Sequence, residues 1–350
     1  GIYSDYESDE NGDYDMTAAC EVADDAGLPE NLRIRTIPAG RYAKFVVRGD
    51  VQQALVQFWM ELWSMNLNRT FQADFEEYHG MTGEEAEIHV YIGLKEGMMS
   101  MEFKRVTLEN IEEEHICCAI SDKKGETCVA SKKAWLKERL KEGLVFEKLD
   151  VRGKVFIEYL PAEYAWVPVD ADGYYYIDCL WVSGQYKGQG YSSQLLEHCI
   201  AEARANGKKG LVILSSKKKM PFLSDGSYLK HKGFVTADTA APYFELMALP
   251  FEDGTPLPRF LECAKTGETD EKGWVLYYTA QCPHTSKYVP ILAEYARTQG
   301  IEIKTVKLES REAARRAPSP FTTYSLFYDG KFVTNEILSE KSFEKYRKKV

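Results

Sequence analysis

The stretch Cys179-Leu-Trp-Val-Ser-Gly-Gln-Tyr-Lys-Gly-Gln-Gly-Tyr-Ser-Ser-Gln-Leu-Leu196 constrains the fold more than any other part of the chain. An apolar strand, predicted over 174–182, runs into Gln185-Tyr-Lys-Gly188-Gln-Gly190 and then into an amphipathic helix predicted over 190–205. Glycines let the backbone approach a ligand closely, and a helix N-terminus offers N–H groups to an anion. A pyrophosphate-bearing cofactor is the natural guest of such a turn. The alternative is a tight strand-to-helix connection that binds nothing.

Composition bounds the partners. At roughly 150 residues per domain, 350 residues allow two or three domains. The formal net charge is −10, from 44 Lys+Arg against 54 Asp+Glu, and the excess is local. Residues 1–30 hold ten acids (Asp5, Glu7, Asp9, Glu10, Asp13, Asp15, Glu21, Asp24, Asp25, Glu30) and no Lys or Arg, so the rest of the chain is neutral overall. An acidic total without a basic face or helix-turn-helix segment speaks against a nucleic-acid partner. No apolar run approaches the roughly 18–20 residues that span a bilayer, so no membrane partner is expected. Gly1 opens directly on strand-like sequence, which points to a processed or trimmed start. The eight cysteines include an adjacent pair, Cys117 and Cys118, but no CxxC, and the six histidines, His79 and His89 among them, are scattered along the chain. That pattern predicts neither a disulfide framework nor a zinc site. The expectation is a reduced, cytoplasmic protein without metal.

Three blocks separate along the chain. In residues 1–97, Tyr42–Arg48 reads as a strand and Gly49-Asp50 as a turn and N-cap; Val51, Leu55, Phe58, Trp59 and Leu62 then recur at helical spacing through 51–65. Strands follow around Phe71–Tyr78 and Ala86–Leu94. Residues 101–250 add a helix at 131–142, strands at 144–150 and 153–160, the strand–turn–helix above and a buried strand at Gly210–Ser215. Pro242, Pro250, Pro256 and Pro258 then mark a linker. Residues 264–350 read as strand (274–279), helix (284–299), strand (301–307), helix, hairpin and helix, opening with one βαβ unit. The fold class is a multidomain mixture of α+β and α/β.

The middle block resembles the GNAT-superfamily acetyltransferases, whose Gln/Arg-x-x-Gly-x-Gly/Ala loop follows a strand and opens a helix. The resemblance extends through Leu211–Leu214 to a closing helix ending Lys232-Gly233-Phe234. It implies acetyl-CoA as cofactor, with the pyrophosphate on the backbone of Gln185, Tyr186, Lys187, Gly188, Gln189, Gly190 and Tyr191. It also implies the pantetheine arm beside the backbone of Leu180 and Val182. Lys217, Lys218 and Lys219 suit the CoA 3′-phosphate or form a solvated loop. Acetyl transfer needs a deprotonated amine and a protonated leaving thiolate. Asp178 occupies the place of the family's strand carboxylate; the alternative is a strand-edge acid. The family's general-acid Tyr falls at Leu229, with Tyr228 one residue earlier, a rotation of about 100° on a helix. Tyr228 is the candidate acid. Phe222 stands near the place of the Asn that commonly precedes this helix, and Cys179 reads as a buried strand residue.

In the third block Trp274-Val-Leu-Tyr-Tyr-Thr-Ala-Gln-Cys282-Pro-His-Thr285 is an apolar strand ending at a cysteine that opens a helix, where a thiolate is stabilised. Pro290 and the hairpin around Asp329-Gly330 complete a resemblance to thioredoxin-like folds. Thr285 at the second-cysteine position disfavours a dithiol oxidoreductase. Cys282 is then a possible reactive thiol or a helix-cap relic. Blocks two and three together resemble the YoaP-type GNAT proteins, in Val155-Phe-Ile-Glu-Tyr, Leu180-Trp-Val-Ser-Gly-Gln, Ser215-Ser-Lys-Lys-Lys and Pro320-Phe-Thr-Thr-Tyr-Ser-Leu-Phe.

In the first block Gly40-Arg-Tyr-Ala-Lys-Phe, Trp59 and Trp63, Asp74-Phe-Glu-Glu-Tyr78 and Glu87-Ile-His-Val-Tyr-Ile-Gly93 resemble the GyrI-like (SHS2-type), AraC-type effector-binding module. Residues 1–22 correspond to the closing hairpin of its first half and 33–94 to its second half; the opening strand and helix of the first half are not in the sequence. Alternation sets Phe71, Ala73 and Phe75 opposite Asp74, Glu76 and Tyr78, and Glu87, His89 and Tyr91 opposite Ala86, Ile88 and Val90. A carboxylate among aromatic rings attracts cations. Glu76, Trp59 and Tyr91 are the candidate effector-binding residues; the alternative is a polar outer face with core tryptophans.

These readings point to an acetyl-CoA-dependent N-acetyltransferase acting on a small-molecule amine, with an attached module for a cationic ligand. The alternative is a ligand-sensing regulator whose acetyltransferase fold is idle. The sequence leaves the acceptor and the oligomeric state open.

Overall fold

The computed structural model describes residues 1–8, 12–22, 29, 32–65, 67, 69–79, 86–95, 103–116, 120–124 and 126–350. Cys117, Cys118, Gly97 and the acids Asp9, Glu10, Asp24, Asp25 and Glu30 lie outside the described residues. The chain divides into two compact units, Gly1–Met101 with Gly188–Gly190, and Glu102–Lys187 with Tyr191–Val350. Among the described residues no helix is long and apolar enough to cross a membrane.

The first unit contains β1 (Ile2–Ser4), β2 (Asp15–Thr17), β3 (Arg41–Gly49), α1 (Val51–Ser64), β4 (Ala73–His79) and β5 (Ala86–Leu94). Its antiparallel sheet runs in the order β2-β1-β4-β5-β3. The Asp50 carboxylate accepts from the amides of Gln52 and Gln53 at 3.1 and 3.0 Å and starts α1 where the sequence predicts. Phe58 and Leu62 then bury one stripe of α1 against Val47, Ile88, Val90 and Ile92. Each such side chain contributes about 1.5–3 kcal/mol of burial. The opposite stripe leaves Val56, Met60 and Trp63 exposed.

The second unit begins with β6 (Phe103–Val106), α2 (Cys128–Lys141), β7 (Val145–Leu149), β8 (Val155–Pro161), the short β9 (Val169–Asp170), β10 (Tyr174–Val182) and α3 (Tyr191–Ala205). It continues with β11 (Gly210–Ser216), α4 (Gly226–His231), β12 (Val235–Ala240), β13 (Phe244–Pro250) and the two-residue β14 (Arg259–Phe260), which pairs with β9. Seven of these strands form one sheet in the order β12-β13-β11-β10-β8-β7-β6, and only β10 and β11 run parallel. The stretch read as a linker from Pro242 onward is in part sheet. β12 and β13 form a hairpin on either side of Pro242, and Pro250 ends β13, where a missing ladder donor costs little. Phe244–Ala248 is buried throughout, so it lacks the polar alternation that marks a half-exposed strand.

The last elements are β15 (Trp274–Tyr278), α5 (Pro283–Thr298), β16 (Ile303–Lys307), α6 (Arg311–Arg315), β17 (Tyr324–Tyr328), β18 (Lys331–Thr334) and α7 (Glu340–Arg347). Their sheet has the order β16-β15-β17-β18, with β15 and β16 parallel and the rest antiparallel. This part shares a core with the seven-stranded sheet: Leu308, Ala314 and Ala317 join Trp135, Phe156, Tyr176 and Phe244. Polar clasps reinforce it, with Thr322 Oγ1 donating to the Trp166 carbonyl at 2.6 Å and Lys287 Nζ lying 2.7 Å from Glu126. The Thr322 bond is buried, where an unmet polar atom would cost about 1–3 kcal/mol.

Candidate functional site

β10 and β11 pair only from Tyr174 to Ile177 against Gly210 to Ile213. The register of β10 on β8 then shifts between Ile177 and Cys179, so Asp178 is bulged out. Beyond the bulge β10 follows β8 to Val182, while β11 stays with β13. The edge of β10 that carries Leu180 and Val182 is therefore left unpaired by β11.

The turn after this edge adopts left-handed backbone at Gly184, Gly188 and Gly190, with φ of 63°, 76° and 77°. A Cβ at Gly184 or Gly188 would meet nothing within 4 Å, so backbone conformation rather than crowding calls for glycine there. Gln185, Lys187, Gly188 and Gln189 are exposed, while Tyr186 is half-buried, its ring against Gly153. Helix α3 opens at Tyr191 with no acidic residue in its first turn, which suits an anion. Lys217, Lys218 and Lys219 are exposed just past β11.

Asp178 meets two neighbours that sequence reasoning missed, the buried ion pair of Lys132 and Glu158. Lys132 Nζ donates to the two Glu158 oxygens at 2.7 and 2.9 Å, and the two side chains are only 1% and 2% exposed. Burial first, and the Glu158 charge second, push the Asp178 carboxyl well above its ordinary value of 3.8; Lys132 and a hydrogen bond from Gln281 oppose this. Its Oδ1 is buried without a hydrogen-bond partner among the described residues. Glu158 leaves one sequence signal, a lone carboxylate inside the apolar run Val155–Leu160. Gln281 leaves none, because it reaches Asp178 from the loop between β15 and α5.

Tyr228 and Leu229 divide their roles on the six-residue helix α4. Leu229 is 0% exposed and belongs to the core, so its position cannot supply a proton. The Tyr228 hydroxyl is buried and has no hydrogen-bond partner among the described residues. Cys179 is half-buried on β10.

Cys282 is the N-cap of α5, with Pro283 in the first turn and Pro290 inside the helix. It is half-buried and in no disulfide. The Thr285 hydroxyl lies 2.7 Å from both the Thr279 and Cys282 carbonyls and is buried. The residue at the second-cysteine position thus clasps the turn.

In the first unit, Glu76 is 5% exposed and fully engaged. Its Oε1 accepts from the Tyr3 hydroxyl at 2.7 Å and from Trp59 Nε1 at 3.0 Å, and its Oε2 accepts from the Tyr78 hydroxyl at 2.7 Å. Burial and the bond to Glu76 push the pKa of both tyrosines up, so both remain donors. Tyr3 and Trp59 line a cavity of about 230 Å³ together with Tyr6, Tyr14, Trp63 and Arg69. The Arg69 charge is met by Asp74 at 2.5 Å. Tyr91 does not join this group. It lies opposite Phe75 in the register, stacks on it with ring centroids 4.5 Å apart, and donates to Glu77 at 2.9 Å. The expected trio is therefore a pair, Trp59 and Glu76, with Tyr3 and Tyr78 in place of Tyr91.

Three family models match the chain: the acetyltransferase (GNAT) family over residues 108–221, a YoaP-like family over 302–345, and an integron-associated effector binding protein over 1–94. The chain is 48% identical over 240 residues to the uncharacterized N-acetyltransferase YoaP of Bacillus subtilis (strain 168), covering 69% of this chain and 96% of that protein. It is 30% identical over 99 residues to the putative transcriptional regulator protein YobU of the same strain, covering 27% of this chain and 62% of that one. Among solved structures, a putative GNAT acetyltransferase from Desulfovibrio desulfuricans aligns with a TM-score of 0.30 at 15% identity, over 43% of this chain and 98% of that one. A GNAT acetyltransferase from Brucella melitensis in complex with acetyl-CoA aligns with a TM-score of 0.30 at 17% identity, over 45% of this chain and 91% of that one.

Proposed function

The chain belongs to the YoaP-type GNAT N-acetyltransferases, whose cosubstrate is acetyl-CoA, and carries an effector-binding domain; from that premise we propose that it acetylates a small-molecule amine at Asp178. The observation that carries this reading is the parting of β10 from β11 at the Asp178 bulge, directly before the left-handed glycine turn. Backbone of Leu180 and Val182, on the edge that β11 leaves unpaired, would hold the pantetheine arm, and backbone of Gln185 to Tyr191 at the start of α3 would hold the pyrophosphate.

Acetyl-CoA supplies an activated thioester. Asp178, raised well above its ordinary value by burial and Glu158, accepts the proton of the incoming ammonium group and frees its lone pair for attack. Lys132 holds Glu158 in place, so the field at Asp178 is built from a fixed ion pair. As the new C–N bond forms and the thioester C–S bond breaks, the Tyr228 hydroxyl would protonate the departing thiolate, and its phenolate would take up the remaining surplus proton of the amide nitrogen. Gln281 ties this centre to the C-terminal part, read as a thioredoxin-like domain over 264–350 in which Cys282 caps a helix. The GyrI-like module over 1–97 holds a cationic ligand against Glu76 and Trp59, and the acetyltransferase domain spans 101–250.

Calorimetry with acetyl-CoA and CoA release on an amine panel test the reading. Binding is expected for the native chain and lost in Gly190→Val, since a β-branched residue does not adopt the φ of 77° found there. Absence of heat with the native chain overturns the reading. A second reading, a sensor with an idle acetyltransferase fold, draws support from Leu229 in the core, and acetyl-CoA binding without turnover on any amine would favour it.

A further inference from the structure

The outer face of β4 and β5 carries a mirrored pair of Glu-x-His triplets, Glu77-Tyr-His79 and Glu87-Ile-His89. The antiparallel register sets Glu77 opposite His89 and His79 opposite Glu87, so all four side chains share one patch of the sheet. Two histidines separated by most of a hairpin thereby become neighbours, their ring centroids 4.0 Å apart.

The ligand atoms of Glu77, His79 and His89 lie within 4.8 Å of one another. His79 Nε2 is 3.4 Å from Glu77 Oε2, and His89 Nδ1 is 3.9 Å from the same oxygen. A tetrahedral ion with bonds of about 2.0–2.1 Å sets its ligands about 3.3–3.4 Å apart, so the Glu77–His79 pair already has that spacing, while the Glu77–His89 pair, and the His79–His89 pair within 4.8 Å, close up by side-chain rotation. The supporting contacts also suit a metal. His89 Nε2 lies 2.8 Å from Glu87 Oε1, which leaves Nδ1, the nitrogen facing Glu77, as the lone-pair atom. Arg48 fixes Glu87 at 2.8 Å, and the Tyr91 hydroxyl fixes Glu77 at 2.9 Å. Carboxylate-oriented imidazole is the usual second layer of a zinc site.

We propose that Glu77, His79 and His89 bind one zinc ion on the outer face of the β4–β5 hairpin, with water completing the tetrahedron. The His₂Glu donor set is one that zinc uses. Glu77 and Glu87 are offset by Arg48 and by Lys44, whose Nζ lies 5.4 Å from the Tyr91 ring centroid, so the donor set rather than an excess of charge is what favours the ion. His79 and His89 are 50% and 14% exposed, so the ion reaches them without unfolding.

The test uses the full chain, stripped with a chelator and titrated with zinc by calorimetry and with cobalt(II) by absorption. One equivalent of saturable zinc is expected, with cobalt d–d bands but no thiolate charge-transfer band, since no cysteine takes part. His79→Ala and His89→Ala should each abolish this binding, with the far-ultraviolet circular dichroism unchanged. Glu87→Gln, which disturbs only the orientation of His89, should weaken it about 10- to 100-fold. Three results would overturn the proposal: no zinc bound by the native chain, binding undiminished in the His79→Ala/His89→Ala double variant, or a cobalt spectrum dominated by thiolate charge transfer.

Discussion

Two carboxylates lie inside the two units, and their surroundings differ in one respect. Glu76 receives three hydrogen bonds from neutral donors, Tyr3, Tyr78 and Trp59. Asp178 keeps one oxygen bare, has Glu158 for a neighbour, and is pushed toward its neutral form by burial. A carboxylate held by three neutral donors is fixed in place beside the aromatic cavity. A buried acid beside a second acid is poised to take up and release a proton. The first arrangement serves binding and the second serves chemistry.

The sharpest way to break that comparison is Asp178→Asn. Loss of the base should lower turnover by about 10²–10⁴-fold while leaving acetyl-CoA affinity nearly unchanged, as read by CoA release and calorimetry. The same variant has a stability signature. Because the folded-state pKa of Asp178 is raised, the folded chain binds more protons than the unfolded chain between the ordinary value of 3.8 and the raised value. Stability is therefore lost as pH rises through that window, and Asp178→Asn removes the loss. Scanning calorimetry should find the variant more stable than the native chain at pH 8, with the gap closing toward pH 4. A variant that is less stable at pH 8 would mean that Asp178 is ionised and structural.

Tyr228→Phe sharpens the same side of the comparison. The hydroxyl has no hydrogen bond to lose among the described residues, so folding stability should hold while turnover falls about a hundredfold, at the low end of acid–base contributions. Unchanged turnover would remove Tyr228 from the mechanism.

On the other side, Glu76→Gln retains the shape of the donor cluster and removes its charge. Affinity for an alkyltrimethylammonium probe, followed by tryptophan fluorescence, should fall about tenfold or more, in line with hydrogen bonds and contacts to a charged group. Equal affinity would show that the aromatic cavity alone holds the ligand.

These two centres were unequally legible in the sequence. The turn at Gly184–Gly190 is contiguous, and strand, glycines and helix announce one another within twenty residues or so. The strand Ala86–Leu94 could be bounded from its alternation alone. Alternation names the faces of one strand but not the register between strands, so Tyr91 was grouped with Glu76 although Phe75 is its cross-strand neighbour. The same gap hid the mirrored Glu-x-His triplets, because His79 and His89 look scattered until the hairpin is paired. The surroundings of Asp178 were harder still. Lys132 comes from α2, Glu158 from β8 and Gln281 from a loop far along the chain, and no local pattern links them. The β12–β13 hairpin was obscured by prolines that sit beside strands rather than between domains.

The weakest effect tests whether the acidic front end belongs to the Glu76 site at all. Asp5 is held by Arg35 at 2.6 Å, and Arg35 also lies 3.6 Å from Asp15, so part of the local excess is already met. Replacing Asp5 and Glu7, together with Asp9 outside the described residues, by their amides should weaken cation binding only about two- to threefold in low salt. Screening shortens the reach of exposed charges to about 10 Å at 0.1 M and about 3 Å at 1 M, so the loss should vanish in high salt if the acids act through their field. A loss that persists at 1 M salt would instead place one of these carboxylates in direct contact with the ligand, and Glu76 would no longer be the sole charge that the cation meets.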